Sequence, residues 1–128
     1  MASFLPSACR SYLEDRDLPF REILEPNGQR GLVMGPLPLP DGKFNAPAAE
    51  VLILLPAGYP DTPPDMFYTD PWLKLLPGNS DPKAASVPLQ FDGKTWQRWS
   101  RHNPVWRPGK DGIWTMLKRI ETALAGAQ

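Results

Sequence analysis

The amino-acid sequence predicts an α+β domain in which helices at the two ends of the chain pack on a small antiparallel sheet. Near the C-terminus, apolar residues recur at helical spacing, and upstream of them four short apolar runs are separated by turn-forming residues. At 128 residues, of which 41% are hydrophobic and 22% charged, the chain has room for a single domain, residues 1–128.

The first predicted element is an N-terminal helix. Ser3 or Ser7 can cap it, and Pro6 fits its first turn, where a missing backbone N–H costs little. Apolar residues share one face of this helix: Leu5, Cys9, Tyr12 and Leu13. We expect the helix to end near Asp17, just before a proline.

Four strands are predicted after this helix. They cover Phe20–Leu24, Gln29–Met34, Val51–Leu55 and Met66–Thr69. A Pro-Asn-Gly turn at residues 26–28 separates the first two strands. Short links of this kind favour an antiparallel meander with a helix packed on one face.

The remainder of the chain divides into an irregular segment and a helix. No convincing periodicity is visible from Asp70 to Lys110, which predicts a long irregular segment. A C-terminal amphipathic helix then begins with Asp111 as its cap and ends at Gly126. Its apolar face consists of Ile113, Met116, Leu117, Ile120 and Leu124.

Composition excludes several classes of protein. A single cysteine cannot form an intramolecular disulfide, and one histidine with one cysteine argues against a metal site, so we expect neither a metal nor a cofactor. The longest apolar run is too short to cross a bilayer, and the N-terminus lacks the features of a signal peptide, which predicts a cytoplasmic protein. Charge is unevenly distributed, because residues 93–128 carry seven basic and two acidic side chains. This asymmetry can steer a polar partner.

Residues 55–64, Leu-Pro-Ala-Gly-Tyr-Pro-Asp-Thr-Pro-Pro, carry the motif Tyr-Pro-x-x-Pro-Pro. Its fixed positions are Tyr59, Pro60, Pro63 and Pro64. The segment resembles the signature of the ubiquitin-conjugating (UBC) fold, in which a strand ends in this turn and the next strand follows directly. The resemblance implies the UBC-like order of elements: an N-terminal helix, a four-stranded antiparallel meander, a long irregular segment and a C-terminal helix.

Two further segments narrow the resemblance. Residues 96–103, Trp-Gln-Arg-Trp-Ser-Arg-His-Asn, and residues 106–109, Trp-Arg-Pro-Gly, resemble the prokaryotic UBC-like group called family E. That resemblance implies a bacterial ubiquitin-like modification system. Its other components would be a ubiquitin-like protein, a ThiF-type activating protein and a JAB-type metalloprotease.

The residues that UBC enzymes use for acyl transfer are not found in this sequence. UBC enzymes place a cysteine after a Gly-x-x spacing, and the matching stretch, residues 92–96, has Trp96 in its place. Asp-Pro-Trp at residues 70–72 replaces the usual His-Pro-Asn. Thioester transfer needs a thiolate, and the only thiol, Cys9, is expected to be buried on the first helix. The leading hypothesis is therefore a pseudoenzyme that acts as a binding adaptor for the ubiquitin-like protein, its activating partner, or both.

A second hypothesis is an atypical acyl-transfer enzyme. His102 would act as general base or nucleophile, with Asn103 as an oxyanion donor. The alternative for His102 is a loop histidine that is fixed by hydrogen bonds and has no chemical role.

Tryptophan and arginine alternate in the same region, and six of these residues are predicted to contact a partner. They are Trp96, Arg98, Trp99, Arg101, Trp106 and Arg107. One alternative is that the tryptophans cover a small core. Another is that the block stacks nucleic-acid bases, which the neutral net charge and the lack of a regular basic stripe disfavour.

Overall fold

The protein is described by a computed structural model, which covers residues 3–102 and 105–128. The elements in these residues are α1 (Ser7–Asp15), β1 (Phe20–Leu24), β2 (Arg30–Pro38), β3 (Ala48–Leu55), β4 (Phe67–Asp70), β5 (Val87–Phe91), β6 (Lys94–Trp99) and α2 (Ile113–Ala125). The strands form one antiparallel sheet in the order β1-β2-β3-β4-β6-β5. The α+β class is therefore confirmed. Within the described ranges, no helix has the length and apolar character that a membrane span requires.

The sheet has six strands where four were predicted. The predicted strands correspond to β1–β4, which pair in chain order. The prediction that Asp70–Lys110 is irregular is wrong for β5 and β6, which form a hairpin with β6 hydrogen-bonded to β4. Asp92 and Gly93 form its tight turn, at φ of 53° and 71°. The hairpin was missed because Pro88 and the buried polar Gln97 interrupt the apolar alternation that marks a strand.

The two helices pack on one face of the sheet. Alternate residues of β2 and β3 point to this face, among them Leu32 and Ile53, and both are fully buried there. The helices also contact each other, with the rings of Tyr12 and Trp114 edge to face at 5.8 Å. This helix-covered face contains most of the buried apolar residues.

The opposite face of the sheet is also buried. The intervening residues of the central strands join Phe91 and Trp96 of the hairpin in a second apolar cluster. The tip of the β5–β6 hairpin reaches the β1–β2 turn, where the Asp92 backbone N–H donates to Glu25 Oε1 at 2.8 Å. The hairpin thus folds over this face. This burial on both faces explains why the central strands are nearly continuously apolar.

The start of α2 depends on a carboxylate that lies outside the helix. Asp111 was predicted as the cap, but the N-cap residue is Gly112, one position later. The Asp111 carboxylate instead accepts hydrogen bonds from the Arg107 backbone N–H at 2.8 Å, from the Arg107 guanidinium at 3.1 Å and from the Thr115 hydroxyl at 3.0 Å. These bonds tie the preceding loop to the first turn of α2.

The first testable prediction concerns the closure of the hairpin over the sheet. A Cβ atom at Gly31 would lie 2.5 Å from the Phe91 ring and 2.9 Å from Leu52 Cδ1. Gly31→Ala should therefore lower the free energy of unfolding by about 1–3 kcal/mol through overpacking. Gly78→Ala is the matched control, because a Cβ there meets nothing within 4 Å. Urea denaturation measures the stability of both variants. Equal denaturation midpoints for Gly31→Ala and the wild type would contradict the close packing of the hairpin on β2.

The second prediction concerns pH. Hydrogen bonds from the Arg107 side chain and backbone, with a contribution from Thr115, lower the pKa of Asp111 from 3.8 to about 2. A carboxyl with a lowered pKa in the folded state stabilises the fold above its unfolded pKa, and this contribution is lost as the pH falls toward the folded value. The melting temperature should therefore fall more steeply between pH 3.8 and about 2 in the wild type than in Asp111→Asn. An Asp41→Asn control, which changes an exposed carboxylate, should keep the wild-type slope. Equal slopes of melting temperature against pH in Asp111→Asn and the wild type would contradict the lowered pKa of Asp111.

Candidate functional site

The Tyr-Pro-x-x-Pro-Pro turn lies between β3 and β4 and is attached to both ends of the chain. The Tyr59 hydroxyl lies 3.1 Å from Cys9 Sγ in α1. The Trp106 indole N–H donates to the Pro60 carbonyl oxygen at 2.9 Å, and the Tyr59 and Trp106 rings are 6.4 Å apart. The last two motif positions are Pro63, which is half-buried, and Pro64, which is buried. The turn therefore connects α1 to the segment that precedes α2.

The only thiol of the chain is inside the core. Cys9 is 1% exposed and belongs to the apolar cluster between the helices and the sheet. The prediction that this side chain is buried is confirmed. Burial raises the pKa of its partner Tyr59, and the hydrogen bond to Cys9 adds to this effect. The Cys9–Tyr59 pair is therefore part of the packing between α1 and the turn.

The two tryptophans of β6 are fully buried, and this corrects the prediction that they contact a partner. Trp96 and Trp99 lie three residues apart on one strand, so they point to opposite faces of the sheet. The Trp96 indole donates to the Phe91 carbonyl oxygen at 3.1 Å, while Trp99 stacks on Phe67 at 5.4 Å. Their rings form cores on both faces. Trp96 lies on β6, just after the hairpin turn. Residues 92–96, the stretch in which Trp96 stands in place of the UBC cysteine, therefore form part of a β-hairpin.

The other members of the Trp/Arg block lie in three separate places. Arg98 is paired with Tyr68 in the register of β4 and β6, beside the second cluster. Arg101 lies over the Trp99 ring at 5.3 Å, and its guanidinium donates to the Lys83 carbonyl oxygen at 3.1 Å. The remaining two members, Trp106 and Arg107, lie in the segment before α2, where Trp106 is half-buried and Arg107 is exposed. The block is therefore partly core and partly surface.

His102 is exposed and has a carboxylate partner. Its Nδ1 lies 2.8 Å from Asp65 Oδ1, and the two side chains are 67% and 61% exposed. A carboxylate in this position accepts a hydrogen bond from Nδ1 and orients the imidazole, which leaves Nε2 facing outward for acid–base chemistry. Asn103, predicted as an oxyanion donor, lies outside the described residues.

Asp65 was not identified from the sequence. It is 37 positions away from His102 along the chain, so no local spacing connects them. Its only signal is its position directly after the Tyr-Pro-x-x-Pro-Pro turn, where β4 is about to begin. The antiparallel pairing of β4 with β6 brings the pair together, since the start of β4 lies beside the end of β6.

Metal-binding residues do not cluster in the described ranges. Among residues 3–102 and 105–128, no group of three His, Cys, Asp or Glu side chains could hold a metal ion. The His102–Asp65 pair itself supplies a hydrogen-bonded imidazole and carboxylate.

Comparison with known proteins places the chain in a family. The model of prokaryotic E2 family E matches residues 5–127, nearly the whole chain. The searches of curated proteins and of solved structures gave no match. The α+β architecture, with two described helices and a six-stranded antiparallel sheet, is consistent with an E2-like fold. The chain belongs to prokaryotic E2 family E.

Proposed function

We propose that this protein is a binding adaptor of a bacterial ubiquitin-like modification system and does not itself carry a thioester. Its partners would be a ubiquitin-like protein, a ThiF-type activating protein, or both, with a JAB-type metalloprotease in the same system. The observation that supports this proposal is the burial of Cys9, the only thiol in an E2-family chain.

Burial separates Cys9 from any incoming acyl group. A thioester forms when an exposed thiolate attacks an activated carboxyl terminus. Cys9 is 1% exposed on the sheet-facing side of α1, with Leu13 one turn later on the same face. A protein tail can reach this sulfur only if α1 separates from the sheet, which would expose the apolar face of the helix to water.

The surface proposed to bind a partner is formed by the members of the Trp/Arg block that lie outside the core. The exposed guanidinium of Arg107 and the half-buried Trp106 lie on the segment before α2, and Arg101 is packed on Trp99. Arginine and tryptophan are the residue types that contribute most to protein interfaces. In this proposal Trp99 supports Arg101 from below instead of contacting the partner itself.

The third prediction tests thioester formation. The protein is incubated with a ThiF-type activating protein, its ubiquitin-like protein and ATP, and the products are separated with and without reductant. We expect no reductant-sensitive adduct, because the thiol is buried, while wild type and Cys9→Ser bind the partners with equal affinity. An adduct that reductant removes and Cys9→Ser abolishes would refute the adaptor function.

A second candidate function is acyl transfer through His102, and the exposed His102–Asp65 pair favours it. An imidazole with a carboxylate on Nδ1 can accept a proton from an attacking amine. Alternatively its Nε2 can attack the activated carboxyl terminus and form an acyl-imidazole, as the bond from the acyl carbon to the activating group breaks and that group departs; the amine then displaces the imidazole. The pair is accessible, which the thiol is not.

The fourth prediction tests this second candidate. If His102 transfers the acyl group, conjugation persists in Cys9→Ser and falls by about 100-fold or more in His102→Ala, the contribution typical of a positioned base. Asp65→Asn should keep the fold but reduce the rate, because the carboxylate that orients the imidazole through Nδ1 is replaced by an amide. Single-turnover conjugation assays measure these rates, and circular dichroism of each variant checks that its fold is unchanged. Normal rates in both His102→Ala and Asp65→Asn would eliminate the candidate.

A further inference from the structure

A groove of about 510 Å³ lies between α2 and residues 101–102, which follow β6. Its floor is apolar and is formed by Phe67 of β4 together with Met116, Ile120 and Ala123 of α2. The first three of these residues are almost completely buried, so they present only small apolar patches at the bottom of the groove. The space is sufficient for a few amino-acid side chains.

The rim of the groove is basic. Arg101, His102, Lys118 and Arg119 line it, and no acidic residue does so in the part of the chain that the structure describes. The one described carboxylate that contacts any of these four is Asp65, which pairs with His102. Arg101 and Arg119 donate instead to backbone carbonyl oxygens, and Lys118 is exposed. The rim therefore retains positive charge that an incoming anionic group can neutralise.

Arg119 contributes to the positive charge of the rim. Its Nη2 donates to the Val105 carbonyl oxygen at 2.7 Å. Its Nη1 is buried and has no hydrogen-bond partner among residues 3–102 and 105–128. The Arg119 guanidinium thus has no carboxylate partner among the described residues, and an acidic segment at the rim can supply one.

We propose that this groove binds an acidic peptide segment of a partner protein, with an aliphatic side chain on the floor and neighbouring carboxylates at the rim. The proposal rests on the binding role proposed above and adds to it the chemical class of the bound segment. The excess of basic residues in positions 93–128 supports it, because that charge draws an acidic segment toward α2.

The groove fits a peptide better than a nucleic acid. Single-stranded nucleic acid is held by exposed aromatic rings that stack on bases. Among the described residues that line this groove, the one Phe, Tyr or Trp side chain is Phe67, which is 2% exposed, and the nearby Trp99 is fully buried. Methyl and thioether groups on the floor suit an aliphatic side chain.

The fifth prediction uses a fluorescein-labelled synthetic peptide in which leucine alternates with glutamate, with binding followed by fluorescence anisotropy. Lys118→Gln and Arg119→Gln should each weaken binding by about tenfold, since each removes a charged donor. Ala123→Met should also weaken it by filling the floor. Lys110→Gln is the matched control, because this exposed lysine does not line the groove, and its affinity should equal that of the wild type.

Peptide variants separate the apolar and the charged contributions. Replacing glutamate by lysine should abolish binding, and replacing leucine by serine should weaken it. Equal binding of the acidic and basic peptides, equal losses in Lys110→Gln and Lys118→Gln, or displacement of the peptide by oligothymidine at equal charge would each overturn the proposal. Lys118→Gln carries the test if Arg119→Gln disturbs folding, because Lys118 is exposed. The two failures are distinguishable: loss of peptide binding leaves the adaptor function standing, whereas a thioester on Cys9 refutes the adaptor function in a separate assay without changing the measured peptide affinity.

Discussion

The architecture depends on the side-chain amide of Gln97, a polar group that is fully buried in β6. Its oxygen accepts from the Thr69 hydroxyl at 2.9 Å and from the Leu73 backbone N–H at 2.7 Å. Its nitrogen donates to the carbonyl oxygens of Leu73 at 3.0 Å and of Ala85 at 2.8 Å. All four hydrogen-bonding positions of the amide are therefore used, as a buried polar group requires. This one side chain attaches the crossing segment between β4 and β5 to the strand that lies beside β4.

The position of β6 determines which residues can act on other molecules. With β6 beside β4, two of the largest side chains are buried in opposite cores, and the chain leaves the sheet where His102 meets Asp65. The same exit places Arg101 at the edge of the groove along α2. The strand β6 thus positions the exposed polar groups on which the proposed binding depends. The chain belongs to prokaryotic E2 family E, and its thiol is buried in the core.

Local patterns predicted the elements whose residues interact mainly with near neighbours along the chain. The spacing of apolar residues in α2 identified a helix that ends at Ala125, with Gly126 as its C-cap. The apolar run from Val51 to Leu55 marked the centre of β3, and Cys9 was correctly expected to be buried on α1. The hairpin escaped prediction because Gln97 is polar yet buried, and only the distant carbonyl groups of Leu73 and Ala85 make that burial acceptable.

The sequence by itself determined the α+β class, the two helices, the first four strands, the family resemblance and the presence of a single thiol, because each of these is encoded by composition, periodicity or a short motif. Only the tertiary structure decided that Trp96 and Trp99 are core residues, that Asp65 is the partner of His102, and that a basic groove lies along α2. These features join residues far apart in the chain. Their contacts depend on strand pairing and on hydrogen bonds between distant segments, which no local spacing in the sequence records.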